Sequence, residues 1–307
     1  MHPIIFAVLV TAAIGAIALN WLSAGTSLLV GIAIALVSPH PWVTQCRSYS
    51  AIVLKVAIVL MGFGMEVSAV AATAGTTFWI TLLSLLLALI LGWALMKLLK
   101  VDSQIGLMIS SGTAICGGSA IAAVSQVIKP PAEKTVVAVT VIFLLNLVAL
   151  YIFPVIGHWL ELSQFQFGVW AALAIHDTSS VVGAAAQYGD QALNIASTAK
   201  LARALWIIPL TVILSLILKP KGMKVTIPLF IVFFVLAASS RSLIEANLVF
   251  DWLSDLSRYL LKIALLMMGL GITKQTLAAI DARPFALGVI LWIALSISSL
   301  FLVYLIT

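Results

Sequence analysis

Long apolar runs separated by short polar loops occupy most of the chain. A transmembrane helix needs about 20 mostly apolar residues, and runs close to that length recur throughout. The fold class predicted from this pattern is an all-α polytopic membrane protein, with residues 1–307 forming one integral membrane domain. The nine predicted spanning helices are residues 3–20, 26–38, 49–65, 77–99, 134–157, 194–219, 224–240, 252–272 and 284–306.

Two further apolar segments, residues 104–128 and 163–188, are interrupted by glycines and small polar residues. Within a bilayer, irregular backbone is tolerated only where protein covers it or where it lines a cavity. The sequence therefore predicts about 9–11 membrane segments, two of which are broken or re-entrant helices. Broken helices of this kind form the substrate site of many secondary transporters.

Composition and charge are typical of a membrane protein and argue against a nucleic-acid partner. Hydrophobic residues make up 63% of the chain and charged residues 8%, whereas soluble domains carry about 25% charged residues. The net charge of +6 comes from Lys and Arg that lie mostly in short loops, where they set membrane orientation. Cys46 and Cys116 form no metal-binding motif, and no cofactor or metal site is predicted. The apolar N-terminus is interpreted as the first membrane helix rather than a cleaved signal peptide.

Basic residues favour one orientation of the chain. If each broken segment enters and leaves on the same side, only Arg241 and Arg258 fall in or beside loops of the second face. Because basic loops face the cytoplasm, the N-terminus is predicted to be cytoplasmic and the C-terminus outside. The bias weakens if both segments cross fully. The basic residues of the first face are Arg47, Lys97, Lys100, Lys129, Lys134, Lys219, Lys221, Lys224, Lys274 and Arg283.

An internal repeat relates two distant parts of the chain. Residues 54–65 (LKVAIVLMGFGM) align with residues 261–272 (LKIALLMMGLGI). An odd number of predicted crossings separates the two copies, so they are expected to lie inverted in the membrane, as in many secondary transporters. The repeat-related helix pairs are residues 49–99 and 252–306.

Both broken segments carry groups suited to binding a small anion. Glycines let backbone N–H groups approach a ligand closely, and a helix that restarts inside the membrane presents the positive end of its dipole. The alternative is that the small residues only permit tight helix packing. The candidate substrate-binding residues are Ser110, Ser111, Thr113, Cys116, Gly117, Gly118, Ser119, Thr178, Ser179, Ser180, Lys200 and Arg203.

The pair His176 and Asp177 is the candidate ion-coupling site. A carboxylate at the centre of a membrane helix costs about 2.5–3.5 kcal/mol, which a partner or a function usually offsets. Asp177 is a candidate to bind a coupling ion, H⁺ or Na⁺, with His176 tuning it. The alternative is that Asp177 caps the restarting half-helix. Lys200 and Arg203 share one helix face, and they either attract anions, pair with Asp177 or extend to the membrane interface.

Three ordered motifs carry a resemblance to a known family. They are residues 112–123 (GTAICGGSAIAA), the segment from His176 to Ala185 and the helix from Lys200 to Pro209. Together they resemble motifs of the YeiH-type family, whose members are described as sulfate exporters. Gly118 stands where that family often has alanine. The resemblance implies a relation to bile acid symporters and cation/proton antiporters, a bacterial inner-membrane location and, by analogy, a homodimer.

The function predicted from these motifs is secondary active transport of a small anion, sulfate or a sulfonate-related species, by alternating access. A bundle carrying both broken segments would move against a scaffold built from the repeated helix pairs. The alternative is a cation/proton antiporter of the same superfamily, and a passive channel also stays open. An enzyme is not expected, because adjacent His and Asp do not give triad geometry and no hydrolase or zinc-protease motif occurs. The expected partners are the small anion and the lipid bilayer.

Overall fold

The computed structural model describes residues 3–37, 42–218, 229–244, 248–271 and 282–306. Those ranges are helical apart from short turns and contain no strand, so the predicted all-α fold class is confirmed. The helices are α1 (Pro3–Ala18), α2 (Ala24–Val37), α3 (Val43–Gly62), α4 (Val67–Leu98), α5 (Ser103–Ala114), α6 (Gly118–Ile128), α7 (Ala132–Trp159), α8 (Gln164–Ala174), α9 (Thr178–Tyr188), α10 (Asp190–Ala204), α11 (Ile207–Leu218), α12 (Leu229–Leu243), α13 (Leu248–Leu270) and α14 (Ala282–Ile306).

Several of these helices have the length and composition of membrane spans. Large apolar side chains project from the surface, for example Ile90, Val155 and Leu216, which are 66%, 68% and 71% exposed. A bilayer removes such surface from water, and the predicted multi-pass membrane protein is confirmed. Five helical stretches among the described residues are long and apolar enough to cross a bilayer: Val43–Gly62, Val67–Leu98, Glu133–Trp159, Asp190–Leu218 and Ala282–Leu305.

The predicted span at residues 194–219 contains an interruption that the sequence pattern did not indicate. It divides into α10 and α11 at Leu205 and Trp206. Pro209 has no backbone N–H, so the carbonyl of Leu205 cannot make its usual bond four residues later. The turn tightens instead, and the Ile208 N–H donates to that carbonyl at 3.1 Å.

The start of one predicted helix also differs from the sequence pattern. α4 begins at Val67 rather than near residue 77, because the alanine-rich stretch in between continues the helix.

The side chain of Arg47 and the positions of several predicted loop charges lie outside the described residues. So does the end of the second repeat copy, beyond Gly271. The loop charges concerned are Lys219, Lys221, Lys224 and Lys274.

The helices divide into two compact units. Unit 1 consists of Met1–Ala72 and Pro228–Ala278, and its described helices are α1, α2, α3, α12 and α13. Unit 2 consists of Thr73–Ile227 and Ala279–Thr307, and it contains most of α4, together with α5 to α11 and α14. Each predicted repeat pair therefore contributes its first helix to unit 1 and most of its second helix to unit 2.

Glycines allow the helices of unit 1 to approach closely. A Cβ atom on Gly31 of α2 would overlap the carbonyl oxygen of Leu266, and one on Gly269 of α13 would overlap that of Leu28. The two backbones thus touch with no side chain between them, which is the small-residue packing common in membranes.

The two described copies of the repeat, α3 and α13, also pack against each other in unit 1. Gly64, just beyond the end of α3, lies against Ser254, which is near the start of α13. The two helices therefore run in opposite directions.

Candidate functional site

The first broken segment folds back on itself. Its break lies at residues 115–117, between α5 and α6. The side-chain amide of Gln104, near the start of α5, donates to the carbonyl of Ile128 at the end of α6 (3.4 Å). Because its two ends meet, residues 103–128 form a helical hairpin, called hairpin 1 below.

An ion pair ties the base of hairpin 1 to α7. Asp102 caps α5 by accepting hydrogen bonds from the N–H groups of Gln104 (3.0 Å) and Ile105 (3.3 Å). Its carboxylate also lies 2.7 Å from the ammonium group of Lys134. The hydrogen bond from Lys134 is the main reason that the pKa of Asp102 is lowered from its ordinary value.

The substitution Asp102→Asn should reduce stability only slightly at neutral pH, by less than about 1 kcal/mol, because both side chains of the pair are partly exposed. A lowered pKa means that the carboxylate stabilises the fold above its unfolded pKa of about 3.9. This contribution is lost as the pH falls through the folded value. The difference in Tm between wild type and Asp102→Asn should therefore shrink from pH 7 to pH 3. A difference that grew at pH 3 would contradict this assignment.

The second broken segment folds back in the same way. Its break lies at residues 175–177, between α8 and α9. The ring of Phe167 in α8 stacks on that of Tyr188 at the end of α9, with centroids 3.8 Å apart. The hydroxyl of Tyr188 donates to the carbonyl of Leu162, just before α8. Residues 164–188 therefore form a second helical hairpin, called hairpin 2 below.

Helix α7 places the bases of the two hairpins far apart. Lys134, near its start, pairs with Asp102 at the base of hairpin 1, and His158, near its end, stacks on Tyr188 at the base of hairpin 2. With 28 residues, α7 is about 42 Å long, which exceeds the hydrocarbon core of about 30 Å. The two hairpins therefore approach each other from opposite ends of α7, which is the arrangement that the re-entrant alternative predicts.

The tips of the two hairpins touch near the middle of α7. A Cβ atom on Gly117 in hairpin 1 would lie 3.3 Å from the Cα of Asp177 in hairpin 2 and 3.3 Å from Ile142 of α7. Gly117 has φ 65° and ψ −123°, a conformation that residues with a Cβ rarely adopt. The side-chain oxygen of Asn146 in α7 accepts hydrogen bonds from the N–H groups of His176 (3.0 Å) and Asp177 (3.1 Å).

Arg203 of α10 joins the two hairpins from behind their tips. It is fully buried, and it donates to the carbonyls of Thr113 (3.0 Å) and Ala114 (2.7 Å) at the end of α5. It also donates to the carbonyls of Ala172 (3.0 Å) and Leu173 at the end of α8. The last carbonyls of a helix lack intrahelical partners and carry partial negative charge. Arg203 therefore caps two half-helices at once.

Lys200 lies one turn before Arg203 on α10 and is also fully buried. Its ammonium group donates to the carbonyls of Ile175 (2.7 Å) and Ala172 (3.2 Å) at the end of α8. Within the described ranges, neither basic side chain makes an ion pair with a carboxylate. The structure thus shows neither the pairing with Asp177 nor the extension to the interface that the sequence left open.

Asp177 caps α9, as one reading of the sequence predicted. Its carboxylate accepts a hydrogen bond from the N–H of Ser179 (3.0 Å) and also contacts the hydroxyl of that residue. The neighbouring His176 is fully buried, and neither of its ring nitrogens has a hydrogen-bond partner among the described residues. Among the described residues, no serine hydroxyl is hydrogen-bonded to His176.

A family profile described as conserved hypothetical protein 698 matches residues 4–298 of the chain. A UPF0324 membrane protein of Porphyromonas gingivalis is 43% identical over 292 residues, which cover 94% of this chain and 88% of the relative. The chain belongs to the UPF0324 family. UPF0324 membrane proteins of Photobacterium profundum and Geobacter sulfurreducens are 42% and 41% identical, over 91% and 90% of this chain and 86% and 89% of the relatives. No solved structure matches the chain.

Membership of the UPF0324 family confirms the family resemblance drawn from the three motifs. The names of these relatives describe membrane proteins. They support a multi-pass membrane protein, whereas transport and sulfate remain proposals for this chain.

In this UPF0324 member, burial divides the predicted substrate residues into two groups. Gly118 and Thr178 are half-buried and Ser119 is exposed, at the starts of α6 and α9. A Cβ atom on Gly118 would meet no atom within 4 Å, so space is open there. The accessible group therefore lies just after each break, at the N-terminal ends of α6 and α9. The buried group comprises Ser110, Ser111, Thr113, Cys116, Gly117, Ser179, Ser180, Lys200 and Arg203.

Some hydroxyls of the buried group are used within their own helix. Those of Ser110 and Ser111 donate to the carbonyls of Gly106 and Leu107, each at 2.7 Å. The hydroxyl of Thr113 has no hydrogen-bond partner among the described residues. Ser110 and Ser111 therefore lie before the break at residues 115–117, and their hydroxyls are hydrogen-bonded within α5.

Sequence reasoning missed Asn146, which holds the tip of hairpin 2 and is 3% exposed. The signal that could have found it is a single amide within a long apolar run, Leu144-Leu145-Asn146-Leu147-Val148. Polar residues inside membrane helices usually hydrogen-bond to neighbouring helices.

Proposed function

We propose that this protein is a secondary active transporter of a small anion that works by alternating access. The observation that carries the proposal is the meeting of the two hairpin tips, Gly117 against Asp177, near the middle of α7. Helix ends that break off near the membrane midplane form the binding site of many secondary transporters. A site between hairpins that enter from opposite sides can be opened to either side in turn.

The charge balance at the tips favours an anion over a cation. Lys200 and Arg203 contribute two buried positive charges, and an ionised Asp177 contributes one negative charge. Charges interact strongly in a medium of low dielectric constant, so the tips carry a net positive potential that an anion compensates. The other described acidic residues of unit 2 lie at helix ends near the hairpin bases: Asp102, Glu133, Glu161 and Asp190.

The starts of α6 and α9 supply the hydrogen-bond donors. The first N–H groups of a helix have no intrahelical partner, and Gly117 offers α6 no capping side chain. Because Gly118, Ser119 and Thr178 are accessible, backbone N–H groups and hydroxyls can bind the oxygens of an anion together. Lys200 and Arg203 then act electrostatically from behind the tips, without touching the substrate.

Asp177 is the proposed coupling residue. Its carboxylate caps the start of α9, which is the kind of position that the substrate anion would also use. Protonation removes a negative charge beside the substrate and weakens the cap, so it favours anion binding. The anion and a proton are therefore expected to bind together.

Several finer expectations belong to the same proposal. The opposite directions of α3 and α13 support inverted repeats, which suit alternating access. The unpartnered ring of His176 supports a function other than hydrolysis. The YeiH-type resemblance supports sulfate or a sulfonate-related anion, the bacterial inner membrane with a cytoplasmic N-terminus, and a homodimer.

The second candidate is a cation/proton antiporter. The observation that favours it is the half-buried carboxylate of Asp177, which lies at the tip of hairpin 2. The positive charges of Lys200 and Arg203 disfavour a bound cation nearby. Proton flux driven by Na⁺ or K⁺ gradients in the absence of other anions would support this candidate.

The test is anion flux into proteoliposomes that contain the purified protein, at several pH values. Sulfate, sulfite, thiosulfate, taurine, small carboxylates and chloride are each supplied as a concentration jump. We expect saturable, pH-dependent flux of at least one anion. The substitution Asp177→Asn should abolish the coupled flux and flatten its pH dependence, because an amide side chain cannot take up and release the coupling proton.

The matched control is Glu161→Gln, which removes an exposed carboxylate outside the two hairpins. This variant should transport like the wild type. Intact, pH-dependent transport by Asp177→Asn would remove the coupling role. Equal, non-saturable fluxes of all anions would indicate a channel.

A further inference from the structure

Lys200 occupies an unusual chemical position. Its ammonium group is fully buried and binds two backbone carbonyls, those of Ile175 (2.7 Å) and Ala172 (3.2 Å). Its hydrogen-bond acceptors in the described structure are these carbonyl oxygens, not a carboxylate. A charge buried in this way must be stabilised by the dipole at the end of α8.

Backbone carbonyls at the ends of broken helices are also ligands for monovalent metal ions. Half-helix C-terminal ends and unwound backbone carbonyls coordinate Na⁺ in transporters that have broken helices. Here α8 ends and unwinds at residues 175–177, where such carbonyls are available. The ammonium group is a compact point charge with three donors, so it can stand in for such an ion.

We propose that the ammonium group of Lys200 is a tethered substitute for a coupling metal cation at the end of α8. The wild-type protein therefore binds no Na⁺ at this position. Removing the side chain creates a vacant site for a monovalent cation, lined by the carbonyl of Ile175 and by the carbonyl of Ala172, which keeps its hydrogen bond from Arg203 (3.0 Å). The inference concerns the coupling ion of the proposed transporter, but the site depends on this local geometry whatever the substrate is.

Arg203 does not provide the same vacancy. Its planar guanidinium spreads over carbonyls of both α5 and α8, so its removal separates two helix ends instead of opening one compact cage. Lys200 contacts the end of α8 alone. The predicted cation site is therefore specific to substitutions of Lys200.

The test is the Tm of purified protein in NaCl, LiCl and KCl, compared with choline chloride at constant ionic strength and without added substrate anions. Lys200→Ala should show a saturable rise in Tm of about 5 °C with at least one metal cation. The wild type should show none. Lys200→Met should be destabilised without being rescued by any cation, because its side chain fills the space without charge.

Lys134→Ala is the matched lysine control, since Lys134 forms a partly exposed ion pair with Asp102, and its Tm should not depend on the cation. Saturable stabilisation of the wild type by Na⁺ would overturn the proposal. So would a folded Lys200→Ala variant with the same Tm in every salt. If Lys200→Ala is unstable in choline, recovery of monodisperse protein in one metal chloride supports the proposal. If neither Lys200→Ala nor Lys200→Gln yields monodisperse protein in any of the salts, that result counts against the proposal.

This readout is independent of anion transport. A failed anion-flux assay would remove the proposed function and leave the cation result standing. An absent cation site would remove this inference and leave anion flux untouched.

Discussion

The substitution Arg203→Met should lower the free energy of unfolding by about 3–5 kcal/mol, because several buried carbonyls lose a charged donor and each unsatisfied buried group costs about 1–3 kcal/mol. Arg203 donates to carbonyls of α5 and α8, and it is fully buried. Without it, the last carbonyls of two half-helices lose their donor together. The measurement is the Tm of the purified protein, which should fall by about 10 °C.

Two further variants separate charge from geometry. Arg203→Lys keeps the charge, but an ammonium group cannot reach both helix ends, so most of the loss should remain. Arg241→Met removes a partly exposed ion pair with Asp251 (3.0 Å) and should cost less than about 1 kcal/mol. If Arg203→Lys were as stable as the wild type, the guanidinium contacts that join the two hairpins would contribute nothing to the free energy of unfolding.

The substitution Gly117→Ala should distort the contact between the two hairpin tips. A Cβ in this backbone conformation is strained by about 1–3 kcal/mol. It would also press against backbone and side-chain atoms of Asp177 at 3.3 Å. We expect a lower Tm and anion flux below about one tenth of the wild-type value, because a shift of about 1 Å at a reacting or binding centre costs roughly a hundredfold.

The matched control is the neighbouring substitution Gly118→Ala. A Cβ there meets no atom within 4 Å, and Gly118 begins α6, so the protein should keep its Tm. Flux by this variant reports only the added methyl group beside the proposed anion position. If both alanine variants had the same Tm, the strained contact at Gly117 would be disproved.

The breaks in the helices were predictable because backbone hydrogen bonding inside a membrane is a local requirement. Glycines and hydroxyl residues placed the interruptions within residues 104–128 and 163–188, and α5 and α8 end there. The capping role of Asp177 followed from the same reasoning, since an aspartate before a helix satisfies N–H groups two residues later.

The partners of the buried charges were not predictable from spacing. Lys200 and Arg203 share a helix face, but the sequence offered Asp177, the interface and a bound anion as alternatives. The structure shows a fourth arrangement, in which carbonyls of α5 and α8 accept their hydrogen bonds. Backbone acceptors are present at every residue, so nothing in the sequence marks which ones are left free at one point in space.

The sequence by itself determined that this is a helical membrane protein with two interrupted segments, because hydrophobic run length and backbone satisfaction depend on neighbours along the chain. Only the tertiary structure decided that each segment folds back on itself and that the tips meet. Those outcomes rest on contacts between residues far apart in the chain, such as Gln104 with Ile128 and Gly117 with Asp177. Such pairs form because their shapes fit together and because they satisfy the hydrogen-bonding groups of buried atoms. Neither condition can be read from a local sequence pattern.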